Sequence, residues 1–310
     1  MIICLNPQSA GGKGAERWAV AHTLLHRRGI RGTVISTRNY EELRKVVREA
    51  YGRGEHHFVA AGGDGSVNAL LNTIMNVVPE AIRSDVALGA IGLGSSNDFH
   101  KPYNPEGMID KFPIRIDLEG STPRDVGVLC FNENGSMTTR YFLINASIGL
   151  TAVANHLFNV PDRLLQALKR TNTGLAIAYA ALRTIVLYKD LNVTVQESEG
   201  AKRDVHLTNL NILKSPHVSG SLTYPVESNY EGELFNCYLA CLMGITDRLR
   251  LLTSLTHGRI PSSSKLEHWT CPGLAISSST SFAVEFDGEV ITTTEARFSL
   301  LPRHLRVCQC

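Results

Sequence analysis

The sequence lacks a strong excess of either charge: 31 lysines and arginines stand against 29 acids over 310 residues, a formal net charge of +2. Bulk charge therefore excludes a nucleic-acid binder that works by neutralising a long run of phosphates. None of the seven cysteines (Cys4, Cys130, Cys237, Cys241, Cys271, Cys308, Cys310) is paired at CxxC spacing, which excludes a zinc knuckle or a redox dithiol. An odd, scattered set is no small secreted disulfide framework either, so reduced thiols in the cytoplasm are expected. A long hydrophobic run is also missing. The most apolar stretch, Gly174 to Tyr188, holds about 15 residues and is interrupted by Arg183, too short to cross a bilayer. The opening Met1-Ile2-Ile3-Cys4-Leu5 has no charged region before an apolar one, so no signal peptide is expected. Walker A, GxGxxG, HExxH and GxSxG patterns are absent, which weighs against a P-loop enzyme, a dinucleotide fingerprint, a zinc hydrolase and a serine hydrolase.

What is present is a core-forming composition: 43% hydrophobic and 19% charged residues, with length for about two domains. The first hundred residues alternate in a βα rhythm. Ile2 to Leu5, Thr33 to Ser36, Phe58 to Ala61 and Val86 to Ile91 read as strands, the third without polar alternation and hence buried on both faces. Between them, Trp18, Ala21, Leu24, Leu25 and Arg28 share a helix face that Gly29 ends. Asn39 with Glu42 three residues later reads as a capping box, and a third helix runs around Val67 to Val77. This predicts a parallel, Rossmann-like α/β domain over residues 1–120. Beyond it, β-branched segments separated by polar turns predict a mostly antiparallel β domain over 121–289. They are Asp125 to Phe131, Tyr141 to Ile144, Asn192 to Gln196, Val205 to Leu213, Leu234 to Leu242 and Phe282 to Phe286. One helical insertion, Pro161 to Lys189, interrupts it; Ser262 to Ser264 and Ser277 to Ser279 read as turns, and the tail 290–310 can return to the first domain.

Three glycine-rich loops follow predicted parallel strands, at the sheet edge where an open α/β sheet binds ligands. In Gly62-Gly63-Asp64-Gly65-Ser66, two glycines let the backbone approach a phosphate, and Asp64 offers a hard oxygen to the magnesium that accompanies a nucleoside triphosphate. The same residues also make an ordinary strand-to-helix turn.

Four segments in order resemble the catalytic domain of the diacylglycerol kinase and sphingosine kinase family, particularly its stand-alone bacterial lipid kinases. They are Asn6 to Gly12, Gly62 to Ser66 with Asn68, Ile91 to Phe99, and Asp287-Gly288-Glu289. The resemblance implies transfer of the γ-phosphoryl group of ATP, with Mg2+, to a lipid hydroxyl, with ATP in a cleft between two domains. It places Asn6, Ser9, Gly11 and Gly12 beside the phosphates and Thr37 on the nucleotide. Gly62, Gly63, Asp64, Gly65, Ser66 and Asn68 wrap the phosphates, with Gly94 and Ser95 in the third loop. The sequence departs from the family pattern at Ser96, where glycine is usual, and at Ala69, where glutamate is usual.

The proton acceptor of the family lies in Asp287-Gly288-Glu289. On an extended chain the two acids face one side, and the reading assigns Glu289 as base with Asp287 orienting or touching the metal network, a pair that could be reversed. Asp-Gly is equally a hairpin signal. Ser228, Glu231 and Glu233 match a segment that holds a structural magnesium in some bacterial members, with Glu231 in place of aspartate. Lys13 and Arg17 offer positive charge beside the first loop. Arg163, Lys169, Arg170 and Arg183 punctuate a helix with Leu164, Leu165, Leu168, Leu175 and Ile177, a surface that can lie peripherally on anionic lipid or simply pack on its own domain. A homodimer is compatible with the reading, and nucleic acid is not expected as a partner. The identity of the lipid is not written in the sequence. An NAD kinase-like enzyme and a nucleotide-binding protein with reduced catalysis are the alternatives.

Overall fold

The computed structural model describes residues 1–310 except 134, 161, 172 and 199, and except the side chains of 170 and 173. Pro161, the expected start of the helical insertion, and the Arg170 side chain thus lie outside the described residues. The chain forms two compact units, Met1–Val126 with Pro302–Cys310, and Gly127–Leu301.

In the first unit, β1 (Ile2–Leu5), α1 (Gly14–Arg27), β2 (Thr33–Ser36), α2 (Tyr40–Gly52), β3 (His57–Gly62), α3 (Asp64–Val77) and β4 (Ala87–Gly92) follow one another. The strands lie in the order β2-β1-β3-β4, all parallel, as the βα rhythm predicts. Every residue of β1, β3 and β4 is buried, which is why none of them alternates. The α1 face Trp18, Ala21 and Leu25, spaced at helical intervals, packs with Ile3, Leu5, Val59, Ala61 and Ile91 in one core. Asn39 caps α2: its Oδ1 accepts the Glu42 N–H at 2.9 Å, while the Glu42 carboxylate reaches back to the Arg38 N–H at 2.8 Å.

The second unit contains β5 (Ser136–Phe142), β6 (Asn145–Gly149), α4 (Leu150–Asn159), α5 (Arg163–Thr171), α6 (Thr173–Leu187), β7 (Leu191–Glu197) and β8 (Arg203–Leu213). After these come β9 (Phe235–Cys241), α7 (Ile245–Leu255), β10 (Leu266–Cys271), β11 (Leu274–Phe286) and β12 (Glu289–Gln309), the last of which runs on into the first unit. Its sheet order is β10-β9-β8-β7-β11-β12, antiparallel throughout, with β6 pairing both β8 and β11. Phe142, Phe235, Phe282, Phe286 and Phe298 fill its core.

Four local expectations are corrected. Helix begins at Leu150 and not at Pro161: strand residues 145–149 pass directly into α4, and short apolar runs such as Ala152 to Ala154 do not separate buried strand from helix by periodicity. Helix α7 went unread. Ser277 to Ser279 form no turn but lie within β11, where the register shifts between Ser277 and Phe282. The tail in the first unit is Pro302–Cys310 and not 290–310, since residues 289–298 pair with β11.

Candidate active site

The carboxyl ends of β1, β3 and β4 each open into one of the glycine loops, and hydrogen bonds tie the loops together. Asn6 donates from Nδ2 to Ser66 Oγ at 3.0 Å, while its Oδ1 accepts the Gln8 N–H at 3.0 Å, joining the first loop to the start of α3. The second and third loops touch directly. Leu93 N–H donates to the Gly62 carbonyl at 2.7 Å, and a Cβ on Gly63 would stand 3.2 Å from Gly94 Cα. Only residues without a Cβ permit this approach.

Asp64, at the start of α3, turns its carboxylate into the third loop: Oδ2 accepts the Asp98 N–H at 3.1 Å and Oδ1 the Phe99 N–H at 3.0 Å. Asn97 adopts φ +50°, its Oδ1 accepting the Gly94 N–H at 3.0 Å. The left-handed residue of this loop is thus Asn97, and Ser96, where the family has glycine, needs no positive φ. Arg17 on α1 donates to the Leu93 and Gly94 carbonyls at 2.7 and 2.9 Å. The sequence marks Arg17 only as nearby charge, and its bond to a loop 76 residues away leaves no local signal.

The remaining first-unit residues are placed as follows. Gly63 caps α3 without a side-chain hydrogen bond, leaving the first-turn amides of Asp64 and Gly65 in the setting that attracts anions, while the Ser66 N–H donates to the Gly63 carbonyl at 2.9 Å. Ser9 Oγ is buried and has no hydrogen-bond partner among the described residues. Gly11 and Gly12 have φ of +68° and +92°; Ser95 is exposed, and Thr37, buried just after β2, donates its N–H to Leu5 O at 2.9 Å. Asn68 is buried on α3 and accepts from Asn72 Nδ2 at 3.0 Å, a bond that anchors the helix from within.

Residues 1–129 match the family model of the diacylglycerol kinase catalytic domain. That likeness covers 129 of the 310 residues. A protein of Chromohalobacter salexigens named "probable lipid kinase YegS-like" is 33% identical over 35% of this chain, a match that spans only 31% of that relative's own length. A diacylglycerol kinase of Staphylococcus haemolyticus is 24% identical over 99% of the chain and 87% of its own. The crystal structure of a diacylglycerol kinase from Bacillus anthracis superposes with a TM-score of 0.65 at 16% identity, over 100% of this chain and 96% of that one, a likeness of fold.

In the second unit, the acidic tripeptide is not extended. Asp287 and Gly288, with φ of +46° and +90°, form the two-residue turn between β11 and β12, where Phe286 pairs with Glu289. Asp287 and Glu289 therefore do not share one side as neighbouring positions of a strand. The Asp287 carboxylate, 4% exposed, accepts the N–H groups of Leu143, Ile144 and Asn145 at 2.7, 2.9 and 3.1 Å. Asn145 in turn accepts the Lys214 and Ser215 amides, both at 3.0 Å. Glu285, which the sequence reading missed, takes the Ser147 hydroxyl at 2.8 Å and the Gly288 N–H at 2.9 Å. Glu289 is the exposed acid of the turn, and desolvation by the surrounding protein holds its pKa above the usual glutamate value.

Ser228, Glu231 and Glu233 are all exposed. Their turn is organised by Asn229, whose side chain donates to Leu234 O at 2.9 Å. No group of three or more His, Cys, Asp or Glu is placed to hold a metal among the described residues. Of the basic helix residues, Arg183 pairs with Asp162 and Lys169 donates to Phe158 O at 2.8 Å over the Phe158 ring; Leu165 is buried and Ile177 and Leu168 half-buried. Among the described residues no helix is long and apolar enough to cross a membrane.

Proposed function

We propose that the chain is an ATP-dependent lipid kinase that transfers the γ-phosphoryl group of ATP to the hydroxyl of a diacylglycerol-like lipid. The observation that carries this reading is the backbone contact of Gly63 with Gly94 beside the start of α3. It leaves two loops without side-chain bulk next to helix amides, within a domain of a kinase family. Phosphoryl transfer asks chiefly for such positioning and for fixed dipoles aimed at the phosphate oxygens. The orphaned Ser9 hydroxyl adds a donor suited to the same anion.

Magnesium bound with a nucleotide keeps few protein ligands, one or two carboxylates beside the phosphates, and it supplies charge neutralisation there. Two acids belong to these loops, Asp64 and Asp98, and Asp98 is ion-paired with Lys101 at 2.7 Å; Asp64 is the one assigned to the metal. With both oxygens already accepting amides, it has only remaining lone pairs to offer.

Glu289 is assigned as the base. The lipid hydroxyl oxygen attacks the γ-phosphorus, the bond to the bridging oxygen breaks with ADP leaving, and the hydroxyl proton passes to Glu289. A carboxylate with a raised pKa is the better proton acceptor near neutral pH. Asp287 acts through position, its oxygens being taken by three amides. Incubation with labelled ATP and a total lipid extract tests the proposal. Label in the organic phase supports it, and label on NAD or ATP binding without transfer would favour the alternatives.

A further inference from the structure

The turn that presents Glu289 is held by side chains that the reaction does not otherwise use. Asp287 and Gly288 are its two central residues, both at positive φ, and Gly288 is exposed. Glycine has the widest backbone freedom of any residue, and the polar groups of an exposed turn tip are ordinarily left to solvent. Here both polar groups of Gly288 have side-chain partners. Its N–H donates to Glu285 Oε1 at 2.9 Å, and its carbonyl accepts from Asn159 Nδ2 at 3.0 Å.

The two partners come from different elements. Asn159 is the last residue of α4, which packs on β6 and β11, and it reaches Gly288 across 129 residues. The end of α4 closes through its own backbone, with the Val160 N–H on His156 O at 2.9 Å, so the Asn159 amide does not serve as the helix cap. Glu285 lies on β11 opposite Ser147 of β6 and is 8% exposed. One oxygen takes the Ser147 hydroxyl at 2.8 Å, the other the Gly288 N–H. A carboxylate so far from water is unfavourable unless donors of this kind satisfy it, and an apolar side chain would fill the strand position more readily. The strand does not call for Glu285; the turn does.

Because the peptide unit is planar, holding the Gly288 carbonyl fixes the Glu289 N–H and the place of its Cα. Holding the Gly288 N–H as well stops the glycine from rotating between its two neighbours. The direction of the Glu289 side chain follows from both. We infer that Asn159 and Glu285 are positioning residues of Glu289, gripping the Gly288 peptide from two sides and so aiming the carboxylate. The inference rests on the assignment of Glu289 as the base. A base must stand within hydrogen-bond reach of its proton, and a misplacement of about 1 Å is enough to slow transfer.

Label transfer from ATP to a total lipid extract, with ATP varied, separates kcat from KM. Asn159→Ala should lower kcat ~10-fold and leave the KM for ATP within about two-fold. Asn159→Asp keeps the size but turns an acceptor toward the Gly288 carbonyl, and should be at least as slow. In the Glu289→Gln background, Asn159→Ala should cause no further loss, because a residue that acts through the base then has nothing to aim. Glu285→Gln should follow the same pattern, but its site is buried, so the exposed Asn159 carries the test. Hydrogen exchange over residues 286–290, read by mass spectrometry, should run about 5-fold faster in Asn159→Ala. Wild-type kcat in Asn159→Ala, an equal further loss in the Glu289→Gln background, or unchanged exchange overturns the inference and leaves Glu289 as the base. Glu289→Gln at the wild-type rate overturns the base assignment and this inference with it, and absence of transfer by the wild-type chain overturns the kinase proposal and both.

Discussion

A Cβ on Gly94 would stand 2.5 Å from the Cα of Gly63 and 2.9 Å from Asn97 Oδ1. The second and third loops are therefore in backbone contact, and neither can move outward without giving up the Leu93–Gly62 hydrogen bond. Gly94→Ala should cost about 1–3 kcal/mol of stability, as overpacking does. Turnover should fall ~100-fold through displacement of the phosphate loops. Gly63→Ala, whose Cβ meets Gly94 at 3.2 Å, should be milder on both counts. Thermal unfolding and label transfer on the two variants check the order.

Asp64→Asn should lower both stability and kcat. The carboxylate serves two amides with two oxygens, and an amide side chain would turn an N–H toward one of them. A cost of about 1–3 kcal/mol is expected, with a ~100-fold loss of kcat. From sequence alone the fold would be expected to stay unchanged by this substitution. An unfolding midpoint equal to wild type would show that the loop amides do not depend on the charge.

Asp287→Ala should be among the most destabilising single changes. It leaves three amides without their acceptor at a site 4% exposed, at a cost on the order of 3 kcal/mol or more. Asp287→Asn should cost less. Urea unfolding of both variants gives the comparison, and equal midpoints for wild type and Asp287→Ala would contradict the structural role.

Glu289→Gln should leave ATP affinity near wild type, by calorimetry, while phosphoryl transfer falls ~10²–10⁴-fold. The pH profile separates a base from a merely structural residue. Because desolvation raises the Glu289 pKa, the wild-type rate should climb with pH through a value above that of an ordinary glutamate, and the variant should lose that limb. The stability sign is opposite. The folded chain holds this proton more tightly than the unfolded one, so stability declines as pH rises from the usual glutamate value to the raised one, and the substitution removes that slope.

His100 is a source of acid sensitivity. Burial, and then the positive charge of Arg115, push its pKa from 6.5 down to about 3. Between those values the unfolded chain binds a proton that the folded chain refuses, so stability falls as pH drops through the window. His100→Gln should flatten the midpoint-versus-pH curve there. A curve as steep as wild type would assign the acid sensitivity to other groups.

The parallel first sheet, the Asn39–Glu42 cap and the three glycine loops were determined by the sequence itself. Each is written in residues close together along the chain, where steric preference and hydrogen-bond reach act locally. The antiparallel character of the second unit was legible for the same reason, from β-branched segments between turns. The tertiary structure decided which polar atoms those segments would meet. Asp287 and Glu289 look alike as a pair of acids two residues apart. Only the fold turns the first onto amides 142 to 144 residues away and leaves the second exposed. Arg17 reaches the third loop across 76 residues, and Glu285 finds Ser147 across 138. Spacing along a chain carries no trace of such partners, because a buried acceptor is specified by whichever backbone the packing brings to it.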